Sequence, residues 1–151
     1  MPNHKTQHLP SRTVSMIQST LTELTRENCI LACALHRLAD QDICRPDVMA
    51  DLVALQRRLG QHIEREQAEV YAPLADIGQH HRDVANTLRI FSADTEARTR
   101  RVLDFFEQYA TGRVRDGFAD ACASALTDLR ERIRREETLL FPALAHVMQR
   151  S

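Results

Sequence analysis

Residues 17–38 read IQSTLTELTRENCILACALHRL, with apolar side chains at Ile17, Leu21, Leu24, Leu31, Leu35 and Leu38. Once position 28 is counted, the steps between them alternate four and three. That spacing keeps one stripe of a helix against a partner along its whole length, the signature of a helix packed in a bundle. Polar Asp40-Gln41-Asp42 closes the helix, and Pro46 fits the first turn of a second one. The second helix carries Met49, Leu52, Leu55, Leu59, Val70 and Pro73, and ends near Ile77-Gly78, where Gly78 suits a left-handed cap. A third runs from about His80 to Ala110 with Val84, Leu88, Phe91, Thr95, Val102, Phe105 and Tyr109 inward, and Thr111-Gly112 stops it. A fourth begins near Asp116 and carries Phe118, Ala121, Ala125, Leu129, Leu140, Ala143 and Val147. Four amphipathic helices on short connections hide four apolar stripes together as an antiparallel up-down-up-down four-helix bundle. The expectation is an all-α domain over 13–149, preceded by a flexible tail over 1–12 that holds Pro2 and Pro10.

Composition agrees and narrows the function. The chain has 151 residues, 43% hydrophobic and 27% charged, too apolar for a disordered segment. With only 4 Gly, an all-β fold lacks its turns. Lys and Arg total 20 against 21 Asp and Glu, so direct nucleic-acid binding is not expected. No apolar run approaches the roughly 20 residues of a membrane span, and the N-terminus lacks the apolar core of a signal peptide. A cytoplasmic protein without a membrane partner is expected. Cys29, Cys33, Cys44 and Cys122 form no CxxC pair, and read as reduced thiols serving as small apolar side chains.

The stripes are interrupted at six places: Asn28, His62, Glu66, Arg98, Arg132 and Glu136. Three pairs of these, 28 with 98, 62 with 132 and 66 with 136, are each separated by 70 residues, and the surrounding text repeats. Leu59-Gly60-Gln61-His62-Ile63-Glu64-Arg65-Glu66 aligns with Leu129-Arg130-Glu131-Arg132-Ile133-Arg134-Arg135-Glu136, and Tyr71-Ala72-Pro73-Leu74 with Phe141-Pro142-Ala143-Leu144. A duplicated helical hairpin is implied. Polar side chains pointing inward at one level are how helix bundles build metal sites, and His-x-x-x-Glu places an imidazole and a carboxylate one turn apart on one face.

With these motifs the chain resembles the hemerythrin-like family of cation-binding bundles over roughly residues 17–147. In that family helices 2 and 4 each carry H-x-x-x-E-E followed by an aromatic and Pro, while helices 1 and 3 add His ligands. His62 to Pro73 is similar to the first motif, and Glu136-Glu137-Thr138-Leu139-Leu140-Phe141-Pro142 to the second from its glutamate onward. Arg132 stands where the second motif has His. Asn28 and Arg98, with Arg101 as the neighbouring choice, stand where helices 1 and 3 supply His. An arginine stays protonated and offers no lone pair to a metal. The resemblance therefore leaves His62, Glu66 and Glu136 as the residual metal ligands, too few for a two-iron centre. His36, His80, His81 and His146 are expected at the surface or rim.

Two carboxylates left in a core without their dication need countercharge. The expected replacement is Arg98 and Arg132 paired with Glu66 and Glu136, with His62 and Asn28 completing the hydrogen bonds; a register shifted by one residue would instead turn the arginines outward. A second, shorter likeness is to bacterial anti-sigma proteins of the regulator-of-sigma-D type. Arg132-Ile133-Arg134-Arg135-Glu136-Glu137-Thr138-Leu139 is similar to their last-helix segment, and Asp104 to Tyr109 to their third-helix aromatic stretch. That likeness implies an RNA polymerase sigma subunit as partner. The function expected is a non-enzymatic regulatory or protein-interaction bundle with no cofactor. The alternative is an iron- or zinc-binding sensor or carrier using His62, Glu66 and Glu136.

Overall fold

The protein is described here over residues 11–149 of a computed structural model, with side chains over 12–146. Helix α1 spans Ser11–Leu38. Helix α2 runs Pro46–Glu66, passes through a π-helical turn at Gln67–Tyr71 and continues as Ala72–Gly78. Helix α3 spans Arg82–Tyr109. Helix α4 repeats the pattern of α2: Phe118–Arg135, a π-helical turn at Glu136–Leu140, then Phe141–Gln149. The expected tail lies outside the described residues apart from its last two, which already belong to α1; the side chain of Val147 lies outside them too.

Two apolar clusters fill the interior. One gathers the end of α1 (Leu31, Leu35), the start of α2 (Val48, Leu52), the end of α3 (Phe105, Phe106) and the start of α4 (Phe118, Cys122). The other gathers the start of α1 (Ile17, Leu21), the end of α2 (Val70, Leu74), the start of α3 (Val84, Phe91) and the end of α4 (Leu140, Leu144). Successive helices therefore run in opposite directions, and the chain is the expected up-down-up-down bundle. Between the clusters lies one polar level. Asn28, His62, Glu66, Thr95, Arg132 and Glu136 are all buried there.

The two π-helical turns are a departure from the heptad reading with a local cause. Buried residues on α2 follow at 62, 66, 70 and 74, and on α4 at 132, 136, 140 and 144, in uninterrupted steps of four. A straight α-helix drifts about 40° per such step; a widened turn brings the stripe back to the core. Pro73 and Pro142 follow each turn and cannot donate the backbone N–H that a regular helix would use there. Beyond the first turn Leu74, rather than Pro73, is the buried residue; separately, at the start of α2, Val48 is more fully buried than Met49.

The connections also correct two details. Gly78 is not left-handed: only Gly112 and Gly117, both at φ 73°, take that conformation among the described residues. What Gly78 allows is close approach, since a Cβ there would sit 3.2 Å from the Cα of Ala85 on α3. The 109–118 connection is tied by the Tyr109 hydroxyl, which donates to the Asp116 carbonyl at 2.9 Å. Of the cysteines, Cys122 alone behaves as a core residue; Cys29, Cys33 and Cys44 are exposed free thiols, because they fall off the α1 stripe and in the α1–α2 loop. No helix of the described residues is long and apolar enough to cross a membrane.

Candidate metal centre

The polar level is assembled from all four helices. α2 contributes His62 and Glu66, one turn apart, and its π-helical turn brings in Tyr71. α4 contributes Arg132 and Glu136, with Glu136 opening the second π-helical turn. α1 supplies Thr25, Glu27 and Asn28, and α3 supplies Thr95.

Arg132 is 5% exposed, and its Nη2 donates to Glu66 Oε1 at 2.5 Å. The other Glu66 oxygen, Oε2, lies 3.0 Å from His62 Nε2, and His62 Nδ1 lies 3.3 Å from Glu27 Oε2. Those distances are those of ion-pair partners, but neither imidazole nitrogen is aligned for a hydrogen bond. Glu136 accepts from Tyr71 Oη at 3.1 Å through Oε1 and from Thr25 Oγ1 at 3.3 Å through Oε2.

The two buried carboxyls are driven apart in acidity. Burial pushes both upward. For Glu66 the His62 contact and the Arg132 charge overcome burial and hold the group well below the usual carboxylate range. For Glu136 the negative charge of Glu66 adds to burial, and the more distant attraction of Arg132 does not offset them, so it is held well above that range. Of these two buried carboxyls, Glu66 is thus favoured as the carboxylate, beside the Arg132 guanidinium, and Glu136 as the acid. Burial, together with the charges of Glu66 and Glu136, raises the Tyr71 phenol as well, leaving it a donor.

Five of the six residues singled out from the stripes meet at this level; Arg98 does not. It lies partly exposed on the α3–α4 seam, where Nε donates to Asp94 Oδ2 at 2.8 Å and Nη1 to Asp128 Oδ1 at 3.0 Å. Arg101 shares Asp128, at 2.9 Å and 3.0 Å, and Arg135 faces Asp94 at 3.0 Å. The carboxylates of Asp94 and Asp128 hold both arginines at the rim, and Thr95 takes the inward position of α3 instead. The expected pairing of Arg98 with Glu66 or Glu136 is thus corrected, and Arg101 is not the inward alternative. Asn28 is inward but completes no hydrogen bond: neither its Oδ1 nor its Nδ2 meets a partner. His36, His80 and His146 are exposed and His81 half-buried, all away from the centre.

Thr25, Glu27, Tyr71 and Asp128 were not singled out from the sequence as site residues, and Thr95 was read only as an inward position of the third helix. Asp128 and Tyr71 carried a usable signal, since one lies one turn from Arg132 and the other in the repeated Tyr/Phe-Pro segment. Glu27 carried none, being off the stripe beside Asn28.

The family model described as the hemerythrin HHE cation binding domain matches residues 23–144. The chain belongs to that family. No curated protein and no solved structure matches it. The narrower likeness to anti-sigma proteins is not borne out by these matches. Among the described residues, no group of three or more His, Cys, Asp and Glu side chains is arranged to hold a metal ion.

Proposed function

We propose that this chain is a non-enzymatic regulatory or protein-interaction bundle of hemerythrin type, in which an Arg–Glu pair stands in the position of the family's cation. The observation that carries this reading is the Arg132 guanidinium, buried and 2.5 Å from Glu66 Oε1. A permanent cation at that distance from a ligand oxygen repels a second cation at close range. It also takes up one of the two Glu66 oxygens that a cation would use. Burial and the charge of Glu66 favour the acid form of Glu136, which lessens the need for a dication beside the Arg132–Glu66 pair. The donors present do not fit a two-iron centre: His62 and Glu66 remain, Glu136 is turned to Thr25 and Tyr71, and the helix 1 and helix 3 positions offer Asn28 and Thr95.

Catalysis is disfavoured by the same arrangement. Glu66, tied to Arg132 and held well below the usual carboxylate range, is too weak a base for proton abstraction. A protein partner is the reading that remains. The likeness of residues 132–139 to anti-sigma proteins makes an RNA polymerase sigma subunit the first to test. Metal analysis of protein purified without chelator decides the first part: trace metal is expected, and equimolar iron or zinc would establish the sensor or carrier reading instead. Co-purification with a sigma subunit decides the partner, with no association at roughly micromolar concentration counting against it.

A further inference from the structure

A half-open groove of about 920 Å³ runs between the later part of α2 and α3. Its outer wall is a face of α3 carrying Arg89, Ala93, Glu96, Arg100, Leu103 and Glu107, all exposed. At about 100° per residue, these six fall within an arc of roughly 80° and form one continuous strip. From Arg89 to Glu107 the strip is about 27 Å long, at about 1.5 Å per residue. The ion pairs of α3 lie elsewhere, at the α4 seam, where Asp94, Arg98 and Arg101 are engaged. Arg89, Glu96, Arg100 and Glu107 enter no ion pair among the described residues. Leu103 is a large apolar side chain that the fold leaves in solvent.

The order of residues along this strip is its own complement. A two-fold axis at position 98 lays two copies of α3 antiparallel, with residues equidistant from the axis opposite each other. Arg89 then faces Glu107 of the second copy, Glu96 faces Arg100, and Leu103 lies over the small Ala93. The symmetry makes each of these contacts twice. Neighbouring registers fail. An axis at position 96 sets Glu96 against itself, and one at position 100 sets Arg100 against itself and Glu96 against Asp104. Like charges so placed oppose association. Another protein would have to present the same alternation of charge in matching order, whereas a second copy carries it already. We infer that the outer face of α3 is a homodimer interface, through which two copies of this chain pair by antiparallel α3 helices centred on position 98. The groove beside that face gives the side chains of the second helix room to seat. The pairing does not depend on whether the Arg132 level holds a cation.

The test uses the full chain in reducing buffer, because Cys29, Cys33 and Cys44 are exposed thiols that would otherwise link copies by themselves. Sedimentation equilibrium at roughly 10–100 micromolar chain is expected to show monomer and dimer, shifting toward monomer as salt rises. Glu96→Arg sets an arginine against Arg100, and Arg100→Glu sets a glutamate against Glu96. Each variant alone should therefore dimerise more weakly by roughly tenfold or more. Both positions are exposed, so thermal stability should stay unchanged. Mixed in equal amounts, the two variants should form a heterodimer, because every reversed charge then meets its opposite. A native chain that stays monomeric over that range would overturn the inference and leave the groove to another protein. Undiminished dimers of either single variant would move the interface off this face. A mixture no better paired than its components would reject the antiparallel register about position 98, and either result overturns the proposal.

Discussion

Arg132 of α4 and Glu66 of α2 meet at 2.5 Å across the centre of the bundle, each nearly sealed from solvent. They occupy the one level at which neither apolar cluster extends. A salt bridge so placed is costly to break, because removing one partner strands the other charge in a medium that does not solvate it.

Arg132→Ala should therefore destabilise the fold by roughly 3–5 kcal/mol, measured by denaturant unfolding. Replacing both members, Arg132→Met with Glu66→Leu, should recover most of that loss. A change below about 0.5 kcal/mol for the single variant would place Arg132 at the surface.

Restoring ligands should restore metal binding only at the inward positions. Asn28→His combined with Arg132→His adds two imidazoles at the level of His62, Glu66 and Glu136, and is expected to bind iron or zinc measurably by elemental analysis. Arg98→His, on the α3–α4 seam, should add nothing to that pair. A gain from Arg98→His equal to that from Asn28→His would contradict the geometry.

The acidity split gives stability two pH limbs. Glu136 is raised in the folded state, so its contribution is fully present below the ordinary glutamate value of about 4.3 and is lost as pH rises through the raised one. Glu66 is depressed, so its contribution is present above the ordinary value and is lost as pH falls through the depressed one. Chemical unfolding of the native chain should show a limb that declines from about pH 5 to the raised value near 8 and levels off above it, with a slope of up to about 1.4 kcal/mol per pH unit. Glu136→Gln, neutral throughout, should flatten that limb and keep the acid one. An unchanged decline between about pH 5 and 8 in that variant would remove Glu136 as its source.

Asn28 buries an amide that meets no partner. Asn28→Leu replaces it with a side chain of similar shape and should stabilise the protein by roughly 1 kcal/mol in thermal or denaturant unfolding. A marked loss would mean that the amide has a partner of its own in solution.

Fold class, helix order and the buried level could be read from residue spacing because each rests on a repeated local pattern. The α1 stripe from Ile17 to Leu38 is one uninterrupted heptad series, and all its members are buried. His62, Glu66, Arg132 and Glu136 stood out because a duplicated segment placed them in register twice. Arg98 failed because a heptad position at the edge of a stripe leaves a long side chain free to go either way. The carboxylates that decide its direction, Asp94 and Asp128, lie on two different helices. Thr25 and Glu27 were hidden for a related reason: what selects them is the position of Glu136 and His62 across the bundle, not their own neighbours. The widened turns leave a trace in the unbroken steps of four, legible once Pro73 and Pro142 are weighed with them.

The polar level also governs how the helices may slide. Moved by one heptad, α4 would still lay much of its apolar stripe against apolar side chains of the neighbouring helices, since an apolar cluster lies on either side of the polar level. What the slip would not preserve is the meeting of Arg132 with Glu66, which would leave each charge facing hydrocarbon. A single ion pair in an oily seam thus acts as a pin that selects one vertical alignment of the hairpins among several of nearly equal apolar burial.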